Sequence, residues 1–425
     1  MQSSHIDRLA DRVLQAAPPN DALVSMVTDL VNIPSQAGYE DDVARYLLDR
    51  MTARGFRAQL QEVEPDRHNV FGVLDTGRPG PTLMFMGHMD TSTHHRPNGP
   101  PGMRAEATVD NGWIFGLGVS NMKSAFAGYL AAVDMLKAAW PEINGRIVVA
   151  AVVGETERAP VAHWQGRGYR GGGIGAQYMA SHGVLADYCI NGEPTGLKLQ
   201  RGNAGYMFVE VAFRGFAQHG FSKANAIDPL PRAVRAYERL QKWAESYSDR
   251  HQDDVMRPLV NIGAIHGGEA FKPSRTAETC SLYLNINFVR GQTAMDVERE
   301  LRAELRELFA NDKDARFDVE VYLAKQPHLL QQESELVTAM KAGHQSVFGV
   351  PLHEVSPARY SVSSDNPVFA QYGVQAIQYG AGGISLSGGI TVNEPGVGEV
   401  LSIENLASCT KVYALAAARL LSQRS

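Results

Sequence analysis

A chain of 425 residues is too long for one compact core, so two domains are expected. Apolar and charged shares of 44% and 20% suit a soluble globular protein, and a formal charge of −6 leaves no basic stripe for a nucleic-acid partner. Cys189, Cys280 and Cys409 are too few and too scattered for a disulfide framework. With no signal-type apolar core in Met1 to Leu30 and no run of membrane-spanning length, they predict a cytoplasmic protein with no membrane partner.

In chain order, helical periodicity covers Asp21 to Ile33 and Tyr39 to Arg54, the second starting among acids and stopping at Gly55. Phe56 to Val63 and Asn69 to Leu74 alternate like strands, and Thr82 to Met86 reads as a buried one. Asn121 to Trp140 has the spacing of a long amphipathic helix closed by Pro141, and Arg146 to Val153 reads as a central, doubly covered strand. Arg158 to Gly175 is Gly-rich and irregular, a long loop near the candidate site. Its Gly171-Gly-Gly173 lacks the Lys-Ser/Thr of a phosphate loop.

The pattern then changes. Strands at Tyr206 to Phe213, Thr279 to Phe288 and Phe317 to Leu323 alternate with helices at Pro229 to Tyr247 and Thr293 to Leu308. The expected fold is α/β: a mixed sheet covered by helices on both faces, with a smaller inserted α+β unit of the split-βαβ kind. The expected boundaries are 1–205 and 326–425 for the larger domain and 206–325 for the insert.

Four segments look like site loops. Leu83 to Asp90 runs as an apolar strand to Gly87 and then presents His88 and Asp90 at a sheet's carboxyl edge, where open α/β sheets bind ligands. His88 can offer a nitrogen to a metal, and Asp90 can hold the other ring nitrogen. Phe115 to Lys123 is a Gly-rich turn containing Asn121; Val152 to Glu157 carries Glu155; Asp187 to Thr195 carries Glu193. Each sets a carboxylate or amide just past a strand, and the set offers donors suited to zinc, manganese or a similar ion. Plainer readings compete. Glu155 could be a surface or capping acid, Asn121 a helix cap, Glu193 a turn residue and His219 a loop histidine. His94, His95 and His163 read as loop histidines near the mouth of the site.

Gly87-His-Met-Asp-Thr91, Gly118-Val-Ser-Asn-Met-Lys123, Gly192-Glu-Pro-Thr195 and Gly215-Phe-Ala-Gln-His219 occur in the order found in the aminoacylase and carboxypeptidase G family, which includes acetylornithine deacetylase. From about residue 20 onward the chain resembles that family. The resemblance implies a catalytic domain with a metal pair, interrupted by a dimerisation domain, and amide hydrolysis by metal-activated water with a Glu as general base. It makes His88 a ligand of one metal and Asp90 its orienting partner. It places Glu155 as the base, Glu193 as a second ligand of the His88 metal, and His219 as an imidazole reaching substrate across a homodimer.

The chain also departs from that family. Asn121 stands where the family has its bridging aspartate, and Thr156 where it has a second acidic ligand, with Glu157 displaced by one. Ile390 stands for a late histidine in Gly389 to Glu394, and His353 is the last histidine in the chain. In the insert, Asn287 stands for a family arginine. These losses fall on one metal site and its bridge. The expectation is therefore one divalent transition metal per subunit (manganese, zinc or cobalt), weakly held by His88, Asn121 and Glu193, with a formal charge near +1. Thr156, Glu157 or His163 are candidate substitutes for lost ligands.

The expected activity is single-metal hydrolysis of a C–N bond in a small molecule. The leading reading is deamination of an electron-poor aromatic amine, 5-nitroanthranilate-like, by metal-activated water. The alternatives are an amidohydrolase of N-acyl amino acids or dipeptides, and a non-catalytic relative.

Overall fold

The computed structural model describes residues 2–422, and the chain separates into two compact units. The larger comprises Met1–Gly202, Leu329–Val355 and Ser364–Ser425; the smaller comprises Asn203–His328 and Ser356–Ser363. The sequence reading assigned everything after residue 325 to the larger domain. Ser356–Ser363 lacks any helix or strand periodicity, which is why its place in the smaller unit was not legible.

The larger unit opens with helices α1 (Gln2–Gln15), α2 (Asn20–Val31) and α3 (Asp41–Thr52). Strands β1 (Arg57–Glu64), β2 (Arg67–Asp75) and β3 (Thr82–His88) follow. Short strands β4 (Thr108–Asp110) and β5 (Trp113–Phe115) precede α4 (Ser124–Lys137), β6 (Arg146–Val152), α5 (Ile174–Ser181) and β7 (Tyr188–Asn191). In the smaller unit lie β8 (Gly205–Arg214), α6 (Pro229–His251), β9 (Val260–Gly267), β10 (Thr279–Phe288), α7 (Ala294–Leu308) and β11 (Phe317–Lys325). The chain closes with α8 (Glu335–Phe348), α9 (Asn366–Ala370), β12 (Gln375–Gln378), β13 (Asn393–Glu394), β14 (Gly398–Ser402) and α10 (Ile403–Leu421).

The main sheet of the larger unit is mixed, in the order β1-β2-β6-β3-β7-β12. Pairing is antiparallel at β1–β2 and β2–β6 and parallel from β6 through β3 and β7 to β12. Period-two alternation sorts the central side chains between two cores. Leu83 and Phe85 of β3, with Ile147, Val149 and Ala151 of β6, join one cluster with α2, α4 and α10. Met84 and Met86, with Val148, Ala150 and Val152, join a second with α5 and α9. No helix among the described residues is long and apolar enough to cross a membrane.

Three sequence expectations need correction here. The helix read from Asn121 begins at Ser124, because Asn121 and Met122 have non-helical dihedrals. That helix is not amphipathic: Ser124 to Val133 are all buried, and it packs against α2 and α10. Nor does Asn121 cap it, since Lys123 holds that position.

The smaller unit is a four-stranded antiparallel sheet in the order β9-β10-β8-β11, with α6 and α7 packed on it. Met207, Val209, Val211 and Phe213 alternate into its core opposite Leu282, Leu284, Ile286 and Phe288. Asp228 caps α6 ahead of Pro229, and Thr293 forms a capping box with Asp296 on α7. Strand β9 escaped the sequence reading because Gly263 interrupts it and Ile265 lies on its exposed face.

Candidate metal centre

Three parallel strands deliver the site. His88 pairs with Val152 at the end of β3, and Asn191 closes β7, so the loops bearing Asp90, Glu155 and Glu193 leave one sheet edge. A Cβ at Gly87 would lie 2.5 Å from the Met122 Cε, so a side chain there would have to displace the end of that methionine. Met122 in turn follows Asn121 through a cis peptide, in a turn entered by Gly118 at φ +84°. His88, Asp90, Glu155 and Glu193 are all buried.

One nitrogen or oxygen each from His88, Glu155 and Glu193 lies within 4.8 Å of the others. The His88 Nε2 is 2.9 Å from the Asn121 Oδ1 and 3.9 Å from the Glu193 Oε1. Its Nδ1 lies 2.8 Å from the Asp90 backbone carbonyl, a partner that can only accept. Nδ1 therefore carries a proton, and in neutral imidazole the Nε2 lone pair faces the Asn121 oxygen. With the Asn121 oxygen turned to the imidazole, two acceptors face each other there, and a proton or a cation between them makes the arrangement favourable. Burial lowers the His88 pKa, but the charges of Glu193, Asp90 and Glu155 outweigh it and lift the value to about 10. The pocket wants a positive charge. An imidazole, an amide oxygen and two carboxylates also fit zinc or manganese in donor chemistry.

Glu155 stands among the possible ligands as well as in the place of a base. Counted as a ligand, Glu155 would bring a second carboxylate to the ion beside Glu193. Glu157 and His163 are outside this group of close donors, and His163 packs tilted against Trp164 at 3.9 Å between ring centroids.

Asp90 does something other than the sequence suggested. Its Oδ1 is 3.7 Å from the His88 Nδ1, beyond hydrogen-bond reach. Instead Oδ1 accepts from the Glu155 N–H at 3.0 Å, and Oδ2 from the Thr156 N–H at 2.9 Å and from the Thr156 hydroxyl. Burial raises the Asp90 pKa, but the His88 charge and these donors bring it below the usual carboxylate value. His88 is oriented by the backbone of Asp90, and the Asp90 side chain holds the turn that bears Glu155. Asp90→Ala, which strands one buried and two part-buried donors, should cost about 3 kcal/mol in urea unfolding of the metal-free protein. A loss no larger than that of a surface substitution would contradict this role.

The sequence reading missed Glu399. This acid of β14 is buried, and its Oε2 accepts from the N–H groups of Ser120 and Asn121 at 3.1 and 3.0 Å. Burial pushes its carboxyl up to about 7 against the pull of those backbone donors. Glu394, four residues after Ile390, accepts from the Leu386 N–H. A carboxylate inside the run Gly398 to Leu401 is the signal that could have exposed Glu399. Nearby, Lys123 is buried and donates to the carbonyls of Leu30 and Ile33, fixing the far end of the same turn. Burial draws its ammonium down to about 7.

Ile390 is half exposed and bridges to Ile384. His219 belongs to the smaller unit, where it is exposed, accepts from the Phe221 N–H and stacks on that ring at 4.9 Å. Asn287, also in that unit, is buried and donates to the Ser361 carbonyl at 3.1 Å.

A mixed sheet with a histidine and carboxylates converging at its carboxyl edge describes a metal-binding α/β protein. The family model for peptidase family M20/M25/M40 matches residues 84–419, and the chain belongs to that family. It is 27% identical over 262 residues to acetylornithine deacetylase of Aliivibrio fischeri (strain ATCC 700601 / ES114), covering 60% of this chain and 63% of that one. The chain thus matches less than two thirds of that relative's length. Among solved structures, the dipeptidase Dug1p of Saccharomyces cerevisiae has a TM-score of 0.74 at 13% identity, covering 97% of this chain and 98% of its own. Aminopeptidase PepT of Bacillus cereus has a TM-score of 0.69 at 18% identity, covering 95% and 99%. Human carnosine dipeptidase 1 also has a TM-score of 0.69, at 14% identity, covering 97% and 100%.

Proposed function

We propose that this chain is a metal-dependent hydrolase of an amide bond, acting on an N-acyl amino acid or a dipeptide. The observation that carries the reading is the convergence of His88, Glu155 and Glu193 at the sheet edge. A divalent ion bound there supplies a Lewis acid and an acidified water. The remaining roles fall to the chain's own groups. Glu155 takes the proton of the attacking water and returns it to the departing nitrogen. Asp90 holds the Glu155 backbone, and Glu399 fixes the turn that aims Asn121 at His88. His88, Asn121 and Glu193 hold one ion, and manganese, zinc and cobalt all suit the donors. His219 serves as a substrate-facing imidazole in a cytoplasmic homodimer.

The names of the relatives, a deacetylase and dipeptidases, support amide bonds over the aromatic amine that led the sequence reading. That second reading keeps one argument: a neutral Asn121 beside His88, where the family has an acid. A hydrolysis screen with added manganese, zinc or cobalt separates the two. Metal-dependent cleavage of N-acetyl amino acids or dipeptides is expected. Ammonia release from nitro-substituted anilines, with every amide left intact, would overturn the amide reading in favour of the second. No turnover and no specific metal uptake would leave a non-catalytic relative.

A further inference from the structure

Four successive backbone N–H groups, from Val153 to Thr156, are each taken by a side-chain oxygen from elsewhere in the larger unit. Val153 donates to the Asn69 Oδ1 at 3.0 Å and Gly154 to the Glu40 Oε1 at 3.2 Å. Glu155 and Thr156 donate to the two oxygens of Asp90. The turn that aims Glu155 is therefore held from outside, by three side chains brought together from α3, β2 and β3 and their flanks.

Glu40 is the unusual member. It is wholly buried, and so is Arg67, the first residue of β2. The pair is bidentate, with the Arg67 Nη2 2.7 Å from the Glu40 Oε1 and the Nε 3.0 Å from the Oε2. Arg67 also donates through Nη1 to the Glu64 carboxylate at 2.9 Å and to the Arg170 carbonyl at 2.7 Å. The guanidinium lies directly behind the turn. Gly154 has φ +62°, and a Cβ there would stand 2.5 Å from the Arg67 Nη2. Well-packed apolar residues commonly match or exceed a buried ion pair in stability, so stability alone does not account for two charges here. Their position accounts for them: the pair ends at the N–H of Gly154, the residue before Glu155.

We propose that Arg67 and Glu40 are positioning residues for Glu155. Arg67 holds Glu40 oriented as the acceptor of the Gly154 N–H, and this fixes where the Glu155 carboxylate points. The inference rests on Glu155 being the general base, but the geometry it asserts can be tested without a substrate.

The test is hydrogen–deuterium exchange of the metal-free protein, comparing the parent with the E40L/R67M double variant. That variant removes both charges together and leaves no buried ion unpaired. Amides 153–156 should exchange about tenfold faster or more, as expected when a hydrogen bond to a charged group is lost. Amides of the Asn121 turn, 118–123, should keep the parent rate. Unchanged exchange at 153–156 would overturn the inference, and so would faster exchange spread over the larger unit. If the double variant does not fold, E40Q is read the same way; it keeps an acceptor but loses the charge that orders it, and unchanged exchange again decides against the inference. With an amide substrate in hand, kcat of the folded variant should fall about tenfold or more with KM unmoved, the signature of a misplaced reacting group. A raised KM at constant kcat would count against positioning. A parent protein that hydrolyses nothing would refute the base role, while the exchange result would still decide whether the pair fixes the turn.

Discussion

Glu155→Gln is expected to lower kcat for amide hydrolysis by about a thousandfold, within the range a positioned base contributes. Glutamine keeps the length of the side chain and one acceptor oxygen. The backbone that carries it keeps its bond to Asp90, so the turn stays in place. What disappears is the capacity to take a proton from water. Because Glu155 stands within ligand distance of His88 and Glu193, the substitution also removes one of two negative charges from the ion's surroundings. Metal affinity should therefore fall, by about tenfold, a deficit that saturating metal overcomes. Steady-state kinetics at saturating manganese, with a calorimetric titration of the same preparation, separates the two effects. A Glu155→Gln enzyme as fast as its parent would remove Glu155 from the chemistry. One that regains full kcat with excess metal would make it a ligand only.

His88→Ala should act on the ion itself. The imidazole is the only nitrogen donor in the group formed with Glu155 and Glu193, and the amide of Asn121 adds another oxygen. With oxygens alone the site becomes one for harder cations, and zinc affinity should drop by more than about 100-fold, beyond what the loss of an outer partner costs. In the parent, zinc at about 100 times its Kd should stabilise the fold by about 2.7 kcal/mol, and the His88→Ala protein should lose that gain. Without metal the variant should also be weaker than its parent, by about 3 kcal/mol, because the carboxylates of Asp90, Glu155 and Glu193 would face one another with no cation among them. Differential scanning calorimetry with and without zinc reads both. A His88→Ala protein that kept the parent's zinc response would refute the site.

The strand ends were legible in the sequence and the paths beyond them were not. His88 could be placed because β3 alternates without interruption into it, and Glu155 and Glu193 because each follows a short buried strand. Asp90 was placed near the site for the same reason but given the wrong partner. Beyond His88 the backbone leaves the ladder, period-two reasoning ends with it, and the side chain turns to the amides of Glu155 and Thr156. Asn121 illustrates a different limit. The Ala-rich run after it has helix spacing, but spacing alone does not mark where the first turn starts, and Asn121 and Met122 stay non-helical. Partners distant in sequence were hidden altogether: Glu399 reaches the Asn121 turn from 278 residues away, and Glu40 reaches Gly154 from 114. A lone buried acid carries no local trace of the amide it will meet.

The eight-residue segment Ser356–Ser363 has a consequence for synthesis and for cutting the protein apart. The polypeptide changes unit after Gly202, His328, Val355 and Ser363, so the smaller unit is sewn from two separate lengths of chain. The late length is tied in through the carbonyls of Tyr360, Ser361 and Val362, which receive Ala204, Asn287 and Asn203, while the Ser361 hydroxyl donates to the Arg257 carbonyl. A ribosome that has released residue 328 has therefore made every strand of that sheet, yet its last stitches wait for about 35 more residues, on the order of a few seconds of elongation. An excised fragment ending at residue 328 would carry that open seam permanently.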